Sequence, residues 1–220
     1  MNEPVNTNNN PQIAIEGMVN YESKEVSNLR EGKYQEKVVV YAWDLHEKYG
    51  IKKLIEAFVS LQMEDVRFLI YGSGEMEKEI REYEGQDSRI KYFGVVHNSI
   101  VIREEIKATL LVNPPPSHEE FTKYSFPSKN MEYMASGTPL LTTKLPGMPE
   151  EYYDFVYMFD DESIEGMART LEQVLSLPKE ELQAKGAAAK EFVLREKNNV
   201  VQSKKASNLF ENQKVYNNEK

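Results

Sequence analysis

The sequence predicts an α/β fold: a doubly wound, mostly parallel, Rossmann-like sheet followed by a helical C-terminus. Two observations carry this. From about Ile13 onward, short β-rich apolar runs alternate with runs of helical period, and that alternation builds parallel sheets covered on both faces. The 220 residues suffice for one domain with a substantial core, whereas two full domains would be cramped.

Residues 1–12 are rich in asparagine and proline and almost free of apolar side chains, so they read as a disordered lead-in. The domain is expected over residues 13–196, with a C-terminal helical segment over 197–220. Strand candidates are Val38–Tyr41, Val66–Tyr71, Ile90–Phe93, Thr109–Val112, Pro139–Thr142 and Phe155–Met158. Between the first two, Ile51, Leu54, Ile55, Phe58 and Leu61 recur at helical spacing. After the last, Ile164, Met167, Ala168, Leu171, Val174 and Leu175 do the same. Pro178 opens a further helix with Glu180 and Glu181 in its first turn, and Asn198 and Asn199 separate it from a final one. In such a fold a ligand sits beyond the carboxyl ends of the strands.

Composition removes several classes of function. A net charge of -9 and a pI near 5.1 argue against a nucleic-acid surface, and no basic cluster interleaves with aromatics. The absence of cysteine excludes a disulfide framework, a thiolate nucleophile and a zinc–thiolate site. His46, His97 and His118 lie far apart, without metal-ligand spacing. No stretch approaches a membrane span, and MNEPVNTNNN has neither a basic nor an apolar leader region. A soluble, cytoplasmic protein is expected, with at most peripheral membrane contact through the lysines and the Val200, Val201, Leu209 and Phe210 stripe of residues 197–220. A helix packed on its own domain is the favoured reading of that segment.

The chemistry concentrates in FPSKNMEYMASGTP, Phe126 to Pro139. Met131, Met134 and Ala135 give it a helical face between two apolar runs. Pro127 suits a first helical turn, where its missing N–H costs nothing. The free amides there, with Ser128 and Lys129, would hold a phosphate. Glu132, about a turn and a half beyond Pro127, would accept hydrogen bonds from neutral hydroxyls such as those of a ribose. A nucleotide-diphosphate-sugar carries both groups. Singly, each residue is as readily structural: a helix start, a solvated lysine, a surface acid. Gly72-Ser73-Gly74, between a strand and a helix, either lets a backbone approach a ligand or simply makes a tight turn.

The whole segment, densest in EEFTKYSFPSKNMEYMASGTPLLTTKLPGMPEEYY from Glu119 to Tyr153, resembles the donor-binding C-terminal domain of GT-B glycosyltransferases. Within these it is similar to the retaining group 1, family 4 type of bacterial cell-surface polysaccharide enzymes. The resemblance implies that Gly72, Ser73 and Gly74 line the donor cleft and that backbone near Val96 holds the nucleobase. It implies that Glu119 or Glu120 contacts the transferred sugar and stabilises charge at the anomeric carbon. Family members place a glycine where Trp43 stands, and an arginine and a lysine where Asp44 and Tyr49 stand; Lys48 and Lys129 remain to meet the diphosphate. No metal or further cofactor is implied. IAIEGMVN, from Ile13, resembles the hinge entering the second of two domains, so a separate acceptor-binding domain or chain is the expected partner. The alternative is a non-catalytic or degenerate donor-binding domain serving as partner subunit to such a chain.

Overall fold

The computed structural model describes residues 15, 17–20, 32–124 and 126–218, with side chains as far as residue 208. The lead-in expected over 1–12 and most of the hinge segment lie outside these residues. Six parallel strands form one sheet in the order β3-β2-β1-β4-β5-β6. They are β1 (Lys37–Ala42), β2 (Val66–Tyr71), β3 (Ile90–Gly94), β4 (Leu110–Asn113), β5 (Leu140–Thr143) and β6 (Tyr157–Phe159). The helices are α1 (Ile51–Val59), α2 (Glu77–Gln86), α3 (Asn98–Lys107), α4 (Ser128–Ser136), α5 (Ile164–Leu175), α6 (Lys179–Glu196) and α7 (Asn199–Asn218). The strand order reverses between β1 and β4, so the loops that follow them diverge and leave a crevice at the carboxyl edge.

The period of two along β1 divides the core. Val39 and Tyr41 face the layer of α1, α2 and α5, where every apolar residue of the α1 pattern is buried and Phe58 packs on Phe68 at 5.1 Å between ring centroids. Val38, Val40 and Ala42 face the layer of α3, α4 and α6, with Met131, Tyr133 and Phe192. Full burial of each such large side chain contributes about 1.5–3 kcal/mol. Gly186 allows α6 onto α4, since a Cβ there would stand 2.2 Å from the Gly137 carbonyl oxygen.

One expectation is corrected. The last strand starts at Tyr157, because Phe155 ends a 3-10 segment, Glu150–Phe155, and its ring stacks on Phe192 at 4.3 Å. Over the second face of β2 and β3 the cover is thin: α3 brings Ile100 and Glu104 to an open groove that Leu69, Tyr71 and Phe93 also border, and Phe93 is 49% exposed. The polar and charged side chains on that face, Arg67 and Lys91, keep it compatible with water.

At the opposite, amino-terminal edge of the sheet, the Lys33 Nζ donates to the Ala108 carbonyl (2.9 Å) and to Thr138 Oγ1 (2.7 Å). No described carboxylate pairs with it, and burial lowers its pKa from 10.5 to about 7. The native state therefore holds fewer protons than the unfolded chain between these values, and stability rises with pH across that window. Below it the penalty is constant. Lys33→Met is expected to be about 1–2 kcal/mol more stable than the parent near pH 6, the shift being discounted for partial exposure, and to lose that advantage towards pH 10. Urea midpoints of both proteins at the two pH values measure it.

Candidate functional site

The head of α4 is fixed by a buried polar network. Asn113, the last residue of β4, donates through Nδ2 to Asn130 Oδ1 (2.7 Å), and Asn130 Nδ2 donates to Thr142 Oγ1 (3.2 Å) in β5. The Thr142 hydroxyl returns to the Asn113 carbonyl at 2.7 Å. One turn on, the Tyr133 hydroxyl accepts the amide of Ala42 at 2.7 Å, tying α4 to the end of β1. Four side chains thus clamp one helix to three strand ends. Pro127 is the N-cap residue and lies just before the helix proper, and the amides of Ser128 and Lys129 have no intrahelical carbonyl to meet.

A cleft of about 300 Å³ opens against this helix, lined by Trp43, Gly72, Val96, Asn98, Lys129 and Glu132 among others. It lies at the carboxyl ends of β1, β2 and β3. Of the residues singled out from sequence, Lys129, Glu132, Gly72 and Val96 line it together. Pro127, Ser128, Ser73, Gly74, Lys48, Glu119 and Glu120 are not among its lining residues. Ser128 is exposed at the first position of α4.

Lys129 is not solvated. Its ammonium lies 2.9 Å from Glu105 Oε1 on α3 and donates to Glu132 Oε2 at 3.0 Å. Glu105 is 3% exposed, whereas the Glu132 side chain is 58% exposed. Burial pulls the Lys129 pKa down, yet Glu105 and then Glu132 outweigh it and hold it above the ordinary value. Burial raises the Glu105 carboxyl, and Lys129 draws it back only in part. The cleft's one lysine is therefore already neutralised, and the triad carries a net negative charge.

The Gly72-Ser73-Gly74 turn receives the protein's own loop. A Cβ on Gly72 would stand 1.9 Å from the Trp43 carbonyl oxygen, and one on Gly74 2.5 Å from the Leu45 carbonyl carbon. The Leu45 amide donates to the Ser73 carbonyl (3.0 Å), and Met76 N–H donates to the Leu45 carbonyl (3.0 Å). This seats Trp43, 37% exposed, at the cleft wall. In the same loop Asp44 accepts from His46, and Lys48 lies over the Tyr49 ring at 5.0 Å.

Glu119 caps and Glu120 opens a 3-10 turn, Glu120–Lys123, in the loop after β4. That turn is tied down by the Thr122 hydroxyl to the Glu119 carbonyl (2.6 Å), by Gly147 N–H to the Thr122 carbonyl (2.9 Å), and by an edge contact of Phe121 with Tyr49. Glu119 approaches His118 at 3.9 Å, and among the described residues neither acid contacts Lys129 or Glu132. Sequence reading missed Glu105, Asn113, Asn130, Tyr133 and Thr142. An asparagine ending one strand, and another in the first turn of the next helix, were the legible signal for the network.

Among the described residues no helix is long and apolar enough to cross a membrane, and no group of three or more His, Cys, Asp or Glu stands ready for a metal. The family model of glycosyl transferases group 1 matches residues 23–192. No curated protein matches the sequence. Among solved structures, a sucrose-phosphate synthase from Thermosynechococcus elongatus superposes with a TM-score of 0.72 at 16% identity, over 91% of this chain and 52% of that one. Anabaena HepE, solved in complex with UDP and glucose, gives 0.66 at 16% identity over 88% and 55%. WaaG, a glycosyltransferase involved in lipopolysaccharide biosynthesis, gives 0.63 at 20% identity over 83% and 51%. The chain spans about half the length of these structures.

Proposed function

Because the chain belongs to the glycosyl transferases group 1 family, we propose that its cleft binds a nucleotide-diphosphate-sugar and supplies the donor half of a retaining transfer to a hydroxyl acceptor. The observation that carries this is that Lys129 and Glu132, from the first two turns of α4, line the cleft at the carboxyl ends of the strands. The amides at the head of α4 face the diphosphate, Glu132 accepts from the ribose hydroxyls, and the backbone around Val96 takes the base. Glu119 or Glu120, on the loop after β4, meets the transferred sugar once a donor is seated. Cell-surface polysaccharide synthesis in the cytoplasm is the setting we assign, with a separate domain or chain holding the acceptor. UDP and UDP-glucose are bound by HepE, a structural neighbour, and UDP is the first probe to use here.

Calorimetric titration with UDP, GDP and ADP tests the reading; no heat from any of them at millimolar concentration overturns it. Glu132→Ala is expected to weaken the bound nucleotide by about 1–3 kcal/mol, the range for hydrogen bonds to a charged group. Bare pyrophosphate should bind no worse, since the same change removes an anion from the Lys129 ammonium. Equal losses for both ligands would mean that Glu132 does not read the ribose.

A specific observation favours the second reading, a donor-binding subunit without catalysis of its own. Trp43 occupies the cleft wall, and Lys129 is already paired with two acids. Trp43→Gly is expected to tighten a nucleotide-sugar by up to about tenfold relative to the free nucleotide, with modest loss of stability because the indole is partly exposed. Competition titrations with UDP and UDP-glucose measure the ratio.

A further inference from the structure

At the amino-terminal edge of the sheet, opposite the donor cleft, a second cavity of about 320 Å³ lies between the loop before β1 and the first turns of α6. Lys33 and Gln35 line it from the loop, Lys179 and Gln183 from α6, and Pro139 and Leu182 supply apolar surface. Among the described residues its lining holds two lysines and no acid, in a chain whose net charge is -9.

Lys33 sets the chemistry of this space. Its Nζ meets two acceptors, the Ala108 carbonyl at 2.9 Å and Thr138 Oγ1 at 2.7 Å, and Thr138 spends its own proton on the Glu105 carbonyl. An ammonium carries three donors, so the described protein offers an acceptor to two of them. The acids on the surrounding elements are engaged elsewhere: Glu36 with Arg67, Glu104 with the Tyr34 hydroxyl and Lys107, and Glu105 with Lys129. Glu180 and Glu181, in the first turn of α6, are not among the lining residues. Burial is accordingly the cause that brings Lys33 down to about 7. A partly buried cation short of a counter-ion is costly, and a bound anion supplies both the charge and the missing acceptor. Lys179, exposed at the head of α6, adds a second positive charge, and the side-chain amides of Gln35 and Gln183 add neutral donors. Pro139 and Leu182 suit a ligand with an apolar body.

We propose that this cavity binds a small organic anion, one acid group on an apolar body, with Lys33 and Lys179 holding the acid group. The cavity and the donor cleft stand at opposite edges of the sheet, so the inference survives or fails independently of nucleotide binding.

Amide NMR titration of the whole chain with benzoate, hexanoate and benzenesulfonate, and with benzamide as the uncharged control, tests this. At least one anion is expected to bind in the millimolar range or tighter and to shift the amides of Ala108, Thr109 and Leu182. The anion favours the ammonium form, so affinity should fall about tenfold from pH 6 to pH 8 as Lys33 loses its proton in the free protein. Lys33→Met, expected above to be the more stable protein near pH 6, should lose affinity by about tenfold or more while keeping its fold. Lys179→Gln, at an exposed position, should lose a smaller factor. No shift with any of the three anions overturns the proposal, as does benzamide binding as tightly as benzoate, or Lys33→Met binding as the parent does. Shifts gathered at Trp43, Gly72 and Lys129 also overturn it, by assigning the anion to the donor cleft.

Discussion

Lys129→Met is expected to destabilise the fold by about 3–5 kcal/mol, the cost of removing one partner from a buried ion pair. Glu105 would be left as an uncompensated anion on α3, since among the described residues Lys129 is the cation paired with it. The loss should depend on pH, and its sign follows from the carboxyl. The Glu105 pKa is raised in the native state already, and removing Lys129 raises it further. A carboxyl raised on folding adds stability below its unfolded value and loses it as pH climbs through the folded one. The penalty of Lys129→Met should thus be largest at neutral pH and shrink towards the unfolded carboxyl value of 4.5. Adding Glu105→Leu should restore most of the stability, because an apolar pair replaces a broken ionic one. Urea denaturation of the parent, the single variants and the double variant measures this. A loss below about 1 kcal/mol that is flat with pH would place Lys129 in solvent, as a surface pair would be.

The same triad shows where sequence reading stops. Lys129 and Glu132 are legible because they sit three residues apart on a helix with a recognisable start, so their shared face follows from the period alone. Glu105 belongs to a different helix, and its approach to Lys129 depends on how α3 and α4 pack over β4 and β1, a long-range fact. The sheet was legible for a related reason. Strands buried on both faces, such as β1 and β4, write unbroken apolar runs, and the α1 and α5 patterns place their buried residues at the spacing read from sequence. The strand over Ile90–Phe93 is legible too, although Lys91 and Phe93 border an open groove. The reading fails at Phe155, because an aromatic that packs on Phe192 from a 3-10 turn looks no different in sequence from one in a sheet. Gly72 and Gly74 were ambiguous between ligand and turn, since a glycine in sequence does not say which backbone needs its missing Cβ.

Gly72→Ala decides that last question. Gly72 has φ +126, which side-chain-bearing residues rarely adopt, and a Cβ there meets the Trp43 carbonyl oxygen at 1.9 Å. The backbone strain alone costs on the order of 1–3 kcal/mol. The contact adds to it, because the obstructing atom is backbone and the loop is held on its far side by Leu45 N–H to the Ser73 carbonyl and by the Tyr41 hydroxyl to the Asp44 carbonyl at 2.7 Å. A total loss of about 3 kcal/mol or more, present without any ligand, is therefore expected. If the loop gives way instead of the whole domain, Trp43 moves with it, since its own carbonyl is the atom displaced. Tryptophan fluorescence then reports the change directly, as Trp43 is the chain's one tryptophan. Had the glycine served ligand approach, the alanine variant would fold with parental stability and fluorescence and lose nucleotide binding alone. The two outcomes separate a turn shaped for the protein's own loop from one shaped for a phosphate, and the contact distances favour the first.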